Sequence, residues 1–211
     1  MSESTTEIVQ GSEAWFAARL GKVTASKIAD VMSKGKGSAE SAGVRNYRAA
    51  LVAERLTGVR EETYINGAMQ RGTECEPMAR ECYEFIKGVS VNQVAFVEHP
   101  YVPMSGASPD GLIDDDGLVE IKCPNTATHI DYLLSGAVPS QYIPQMAWQL
   151  ACTGRKYCDF VSYDPRLSEE YQLFIIRYNR DEESIKAMET AVIAFNKSVD
   201  DMIVALKAIR P

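Results

Sequence analysis

Three residues of this 211-residue chain have the types and spacing for phosphodiester chemistry: Asp110, within Ser108-Pro109-Asp110, and the pair Glu120 and Lys122, within Glu120-Ile121-Lys122. Two carboxylates, a nearby carbonyl and waters suit a hard cation such as magnesium. A lysine beside them can hold or help deprotonate an attacking water while it balances local charge. In isolation the same residues also fit a plainer description. An aspartate before a glycine is a common turn residue, and E-x-K on a strand is a common exposed charge pair.

For the three side chains to meet, the chain around them must form a hairpin. Ser105 to Ile113 and Leu118 to Lys122 read as strands, and Asp114-Asp115-Asp116-Gly117 as the tight turn between them. Alternation along the second strand puts Glu120 and Lys122 on one face and Val119 and Ile121 on the other, toward a core. A further strand is expected over Val89 to Val97. Upstream, the apolar spacing predicts helices over Ser12 to Leu20 (capped by Ser12, stopped by Gly21), from Thr24 or Ser26 onward, and over Val44 to Leu56, ended by Gly58.

A long amphipathic segment runs from Asn66 to Lys87, with Met69, Cys75, Ala79, Cys82 and Phe85-Ile86 inward; Pro77 inside it predicts a kink or a break into two helices. Downstream come helices over Thr126 to Ser135 and Ser140 to Thr153, strands over Tyr157 to Tyr163 and Tyr171 to Tyr178, and a final helix over Asp181 to Ile209. The expected fold is α/β, a central mixed β-sheet flanked by helices. Residues 11–211 are expected to form a single domain behind a flexible N-terminal lead over residues 1–10.

A formal net charge of −7 argues against a protein that coats nucleic acid by bulk electrostatics, but it leaves room for a local basic groove. Five cysteines without a C-x-x-C pair, and only two histidines, exclude an ordinary structural zinc site and fit a reduced, cytoplasmic chain. No apolar run has the length of a membrane span, and the polar N-terminus lacks the features of a secretory signal. Lys34, Lys36, Arg45 and Arg48 cluster around the Gly35–Gly37 loop. They read either as contacts to a DNA backbone or as a solvated loop and helix face.

Beyond the core motif, several blocks resemble the lambda exonuclease family of viral recombination nucleases, a branch of the PD-(D/E)xK superfamily with a restriction-endonuclease-like fold. They are Ala14-Trp15 with Arg19-Leu20-Gly21 and Thr24-Ala25-Ser26; Arg71-Gly72-Thr73-Glu74 and Glu76; Ser108 to Leu112; Leu118 and Glu120 to Pro124; Tyr142 and Gln145; and Tyr163-Asp164-Pro165-Arg166. Their order and spacing follow the family over roughly residues 10 to 200. The resemblance implies that Asp110, Glu120, the Ile121 carbonyl and Glu76 hold one or two magnesium ions, with manganese able to substitute, and that Lys122 is the catalytic lysine. It implies a 5′-phosphate pocket of Arg19, Ser26, Ser108 and Gln145, and makes Met69 an apolar wedge between the DNA strands, although a plain core methionine fits equally.

The implied activity is a 5′ to 3′ exodeoxyribonuclease that engages a double-stranded DNA end, releases mononucleotides and leaves a 3′ overhang. A ring-shaped homotrimer, a single-strand annealing protein as partner and a phage or prophage origin are implied in the same way. Two rivals stay open: an endonuclease or end-trimming nuclease of the same superfamily, and a non-catalytic DNA-end-binding module.

Overall fold

The computed structural model describes residues 9–35, 39–60 and 67–209, without the side chains of residues 68 and 69. Most of the expected N-terminal lead, Lys36 and the Met69 side chain therefore lie outside the described residues.

Helix α1 (Glu13–Arg19) begins where the Ser12 side chain accepts from the Trp15 backbone N–H. Gln10, the last residue of the expected lead, is tied down: its Nε2 donates to the carbonyls of Val94 and Pro109, each at 2.8 Å. The helix expected from Thr24 or Ser26 starts later. A short strand β1 (Val23–Thr24) and a 3-10 turn (Ala25–Lys27) precede α2 (Ile28–Met32). Helix α3 (Ala42–Thr57) runs from a Ser41 cap to Gly58, which takes the left-handed φ of +68°.

Helix α4 (Gly67–Lys87) runs through Pro77 as one element, so of the expected kink or break the break does not occur. It is held on both sides of the proline. Arg71 donates to the carbonyls of Cys123 (3.4 Å) and Pro124 (2.6 Å), while Ala79 and Tyr83 are buried against a sheet. This anchoring outweighs the roughly 3 kcal/mol that an interior proline costs. Phe85 and Ile86, expected inward, are 89% and 60% exposed. The buried line runs through Ala79 and Tyr83, four residues apart; Phe85 is turned about two-fifths of a turn away from it, and Ile86 falls in the last turn.

The two long strands expected before the Asp114–Gly117 turn are each divided. The first becomes β2 (Val91–Asn92) and β3 (Val97–Glu98), and the second becomes β4 (Ser105–Ala107) and β5 (Gly111–Ile113). One sheet has the order β1-β4-β3. After β6 (Gly117–Lys122), helix α5 (Thr126–Ser135), a 3-10 turn (Ser140–Tyr142), helix α6 (Ile143–Thr153), β7 (Tyr157–Tyr163) and β8 (Leu173–Asn179), the other sheet has the order β2-β5-β6-β7-β8. It is mixed, with β6 and β7 parallel and its other pairs antiparallel. Ser108-Pro109-Asp110 is the switch between the sheets, and Pro109 has no N–H to give to a strand pair. Tyr171 ends a 3-10 turn rather than starting β8. The chain closes with α7 (Glu182–Ala208), capped by Asp181.

Strand alternation sorts the core as expected. Leu118, Cys158 and Phe160 pack on one face with α6 and α7, while Val119, Ile121 and Val161 pack on the other with Ala79 and Tyr83 of α4. Phe160 is fully buried, and truncating it to alanine would cost about 3–5 kcal/mol. No helix among the described residues is long and apolar enough to cross a membrane.

Candidate active site

The β5–β6 hairpin frames the acidic centre. Arg155 clasps its turn: Nη1 donates to the carbonyls of Ile113 (2.9 Å), Asp114 (2.8 Å) and Gly117 (2.9 Å), where Asp114 takes a φ of +45°. At Gly111 a Cβ would fall 2.0 Å from Val91 Cγ1, so glycine lets β2 close beside Asp110. Asp110 does not cap a turn. Its Oδ2 reaches across the hairpin and accepts from the Ile121 N–H at 2.7 Å.

Glu120 is fully buried and has three donors. Lys122 Nζ and Gln145 Nε2 (2.5 Å) share its Oε1, and Gln149 Nε2 donates to its Oε2 at 2.6 Å. A buried carboxylate is tolerated only when charge and lone pairs are met in this way. The Lys122 ammonium also stands 5.4 Å over the Tyr142 ring. Burial pulls the Lys122 proton affinity down, but Glu120 and Asp110 outweigh it and hold it above the ordinary lysine value. Burial first, then the Glu120 charge, pushes the Asp110 carboxyl well above its usual range, and Glu76 adds to the shift. Glu76 itself accepts from Arg80 at 3.0 Å, one helical turn on.

Among the described residues no three carboxylate, thiol or imidazole groups converge into a closed metal cage. The two mutually repelling carboxylates, Asp110 and Glu120, offer oxygen ligands only. That fits magnesium, which binds through one or two carboxylates and keeps several waters.

Ser108 links this centre to a second feature. Its Oγ accepts from Arg19 Nη1 and from Trp15 Nε1, both at 2.9 Å, and the Arg19 guanidinium lies 4.2 Å over the Trp15 ring. Arg19 and Ser26 line one cavity of about 580 Å³ with Tyr47 and Arg60. Burial lowers the Arg19 pKa to about 10, which leaves it charged at neutral pH. So Arg19, Ser26 and Ser108 are brought together, whereas Gln145 is placed on Glu120.

Among the basic residues, Lys34 and Arg45 are exposed. Arg48 is ion-paired with Glu40 and donates to Ser198 Oγ of α7 at 3.3 Å, so its side chain is already engaged. Residue spacing did not single out Gln149, Trp15 and Arg60. Gln149 had a signal: it stands one helical turn from Gln145 on an otherwise apolar helix.

Residues 14–156 match the YqaJ-like viral recombinase domain. Among solved structures, the chain is 51% identical to LHK-Exo in complex with dAMP, with a TM-score of 0.88 over 93% of this chain and 97% of that one. An alkaline exonuclease (LHK-Exo) from Laribacter hongkongensis matches at 51% identity and a TM-score of 0.87, with the same coverage. A phage related exonuclease from Haemophilus somnus 129PT shares the fold at 16% identity, with a TM-score of 0.72 over 88% of this chain and 96% of that one. Among curated protein sequences no match was found. The chain belongs to the YqaJ-like viral recombinase family, the lambda exonuclease family that its motif blocks resemble.

Proposed function

We propose that this protein is a magnesium-dependent exodeoxyribonuclease that degrades one strand of double-stranded DNA from its 5′ end, releasing mononucleotides and leaving a 3′ overhang for recombination by strand annealing. Exonuclease action in recombination follows from the family and from the alkaline exonuclease relatives. The observation that carries the finer reading is the juxtaposition of Asp110, Glu120 and Lys122 with Ser108 and Arg19 through the short segment Ser108-Pro109-Asp110.

Asp110, Glu120 and the Ile121 carbonyl would hold magnesium, with Glu76 adding negative charge; manganese is a substitute of the same hardness. When bound, the metal supplies Lewis-acid polarisation of the phosphodiester and offsets its charge. The protein's own groups do the positioning. Gln145 and Gln149 fix the Glu120 carboxylate, Lys122 positions or deprotonates the attacking water, and Arg19, Ser26 and Ser108 hold the terminal phosphate that sets polarity. Exposed Lys34 and Arg45, with Lys36 and Arg48 of the same stretch, are candidate backbone contacts, and Met69 a candidate wedge. Residues 11–211 acting as one nuclease domain, a homotrimeric ring, an annealing-protein partner and action in the cytoplasm of a phage's host belong to the same proposal and rest on family kinship.

The test uses linear duplex labelled at either end, with and without a 5′-phosphate, in magnesium or chelator. Label at the 5′ end is expected to be released first, as mononucleotide, only in magnesium and faster from phosphorylated ends. Release in chelator would remove the metal mechanism, and cutting of closed circular duplex would replace end dependence with internal cleavage.

A further inference from the structure

Four basic residues line the Arg19 cavity: Arg19, Lys22, Lys27 and Arg60. Two of them are already neutralised. Lys22 is ion-paired with Glu98, and Lys27 with Asp30 at 3.0 Å. Glu54, an acid of the same wall, uses its Oε2 to accept from the Gly21 N–H at 2.8 Å. Arg19 and Arg60 have no carboxylate partner among the described residues, and both are carried on aromatic rings. The Arg19 guanidinium lies 4.2 Å from the Trp15 centroid and that of Arg60 3.7 Å from the Phe16 centroid. The two rings pack edge to face with centroids 4.8 Å apart.

Two like charges are thus mounted on adjoining rings at one cavity. They act on one another: the Arg60 charge adds to burial in lowering the Arg19 pKa. A guanidinium stacked on a ring keeps its N–H edge free to donate, and that edge matches phosphate oxygens. An anion that bears two charges and several acceptor oxygens would relieve the repulsion and fill both forks. A hydroxyl end offers no charge, and an internal phosphodiester offers one.

We propose that Arg60 is a specificity-determining residue, which with Arg19 forms a two-arginine clamp selecting a terminal phosphomonoester dianion over a hydroxyl end or an internal diester. The inference rests on the reading of Arg19 as a ligand of the terminal phosphate.

The test compares wild type, Arg60→Ala and Arg60→Lys on duplexes ending in a 5′-phosphate or a 5′-hydroxyl. The quantity read is the ratio of kcat/KM for the two ends, and the same ratio in binding, by fluorescence anisotropy in chelator. The ratio is expected to be well above one in wild type and to fall about tenfold in Arg60→Ala, the size of one charge-assisted contact at a partly exposed phosphate. Arg60→Lys, which keeps the charge and loses the flat fork, is expected to lie between. A wild-type preference that both variants keep in full overturns the role of Arg60 and leaves that of Arg19 standing. An equal loss on both ends makes Arg60 a general backbone contact and also overturns the clamp. A wild-type ratio near one overturns the clamp together with the reading of Arg19.

Discussion

The acidic centre and the arginine cavity are joined by one proline, yet they are built on opposite terms. In the centre every oxygen of Glu120 is met from within the protein, by Lys122, Gln145 and Gln149. In the cavity, among the described residues, the Arg19 side chain makes one hydrogen bond, to Ser108, and otherwise rests on the Trp15 ring with Phe96 beyond. The first is a finished hydrogen-bond frame that fixes the position of a buried carboxylate. The second leaves cationic donors unspent, the condition of a surface that is completed by its ligand. On the proposed function, chemistry is preorganised on one side of Pro109, and recognition is left open on the other.

The comparison can be broken most sharply at Lys122. Lys122→Ala is expected to lower single-turnover cleavage by at least about a thousandfold while duplex binding in chelator stays within a few-fold; normal cutting would remove the lysine from the chemistry. Next comes Gln149→Leu, which keeps the volume and deletes the donor to Glu120 Oε2. A drop of about ten- to a hundredfold in kcat is expected, with a weaker manganese affinity by calorimetry, because supporting hydrogen bonds orient metal ligands. If both stay unchanged, the frame around Glu120 is not a functional one. Smaller still, Ser108→Ala removes the acceptor shared by Arg19 and Trp15. It should narrow the preference for a 5′-phosphate by about three- to tenfold, read on paired substrates, and an unaltered preference would detach Ser108 from the cavity.

A third buried carboxylate gives a yardstick for the first comparison, because its partner is a full guanidinium. Burial raises the Asp164 pKa, but hydrogen bonds from Arg166 and Thr126 outweigh it and bring it to about 2. A depressed carboxylate stabilises the fold above its unfolded pKa, and the contribution fades as pH falls through the folded value. Wild type should therefore exceed Asp164→Asn in unfolding free energy by at most about 2 kcal/mol near pH 5, and the gap should shrink between pH 4 and pH 2. A gap that is constant with pH would mean that the charge on Asp164 does not matter. Arg166 is 46% exposed, which screens the pair and makes the figure an upper one.

Much of this was legible where local chemistry decides structure. Strand β7 and helix α5 have the bounds read from the sequence, and Ser12, Gly58 and Asp181 bound their helices as capping rules require. The faces of Glu120 and Val119 followed from strand period alone. What escaped was decided by distant partners. The segment Ser105 to Ile113 reads as one strand, but its halves serve different sheets because β1 and β3 claim the first half and β2 and β6 the second. Pro77 reads as a kink or a break, yet α4 stays one helix because Arg71 and Tyr83 hold it from both sides of the proline. At the site, the E-x-K motif was visible in spacing. The donor to Glu120 Oε2 and the aromatic seat of Arg60 depend on helices packed from elsewhere, whereas the seat of Arg19 is Trp15, one turn back on its own helix.

The segment between the two regions also works as a ruler. From Ser108 to Asp110 the chain can span only roughly 7 Å, Pro109 fixes one of its few rotatable bonds, and Gln10 fastens the Pro109 carbonyl. If one end of the substrate is gripped at Ser108 and cut at Asp110, the length of the released piece is set by covalent geometry rather than by how quickly the strand is fed. One residue inserted between them would be expected to change the size of the product before it changed the rate.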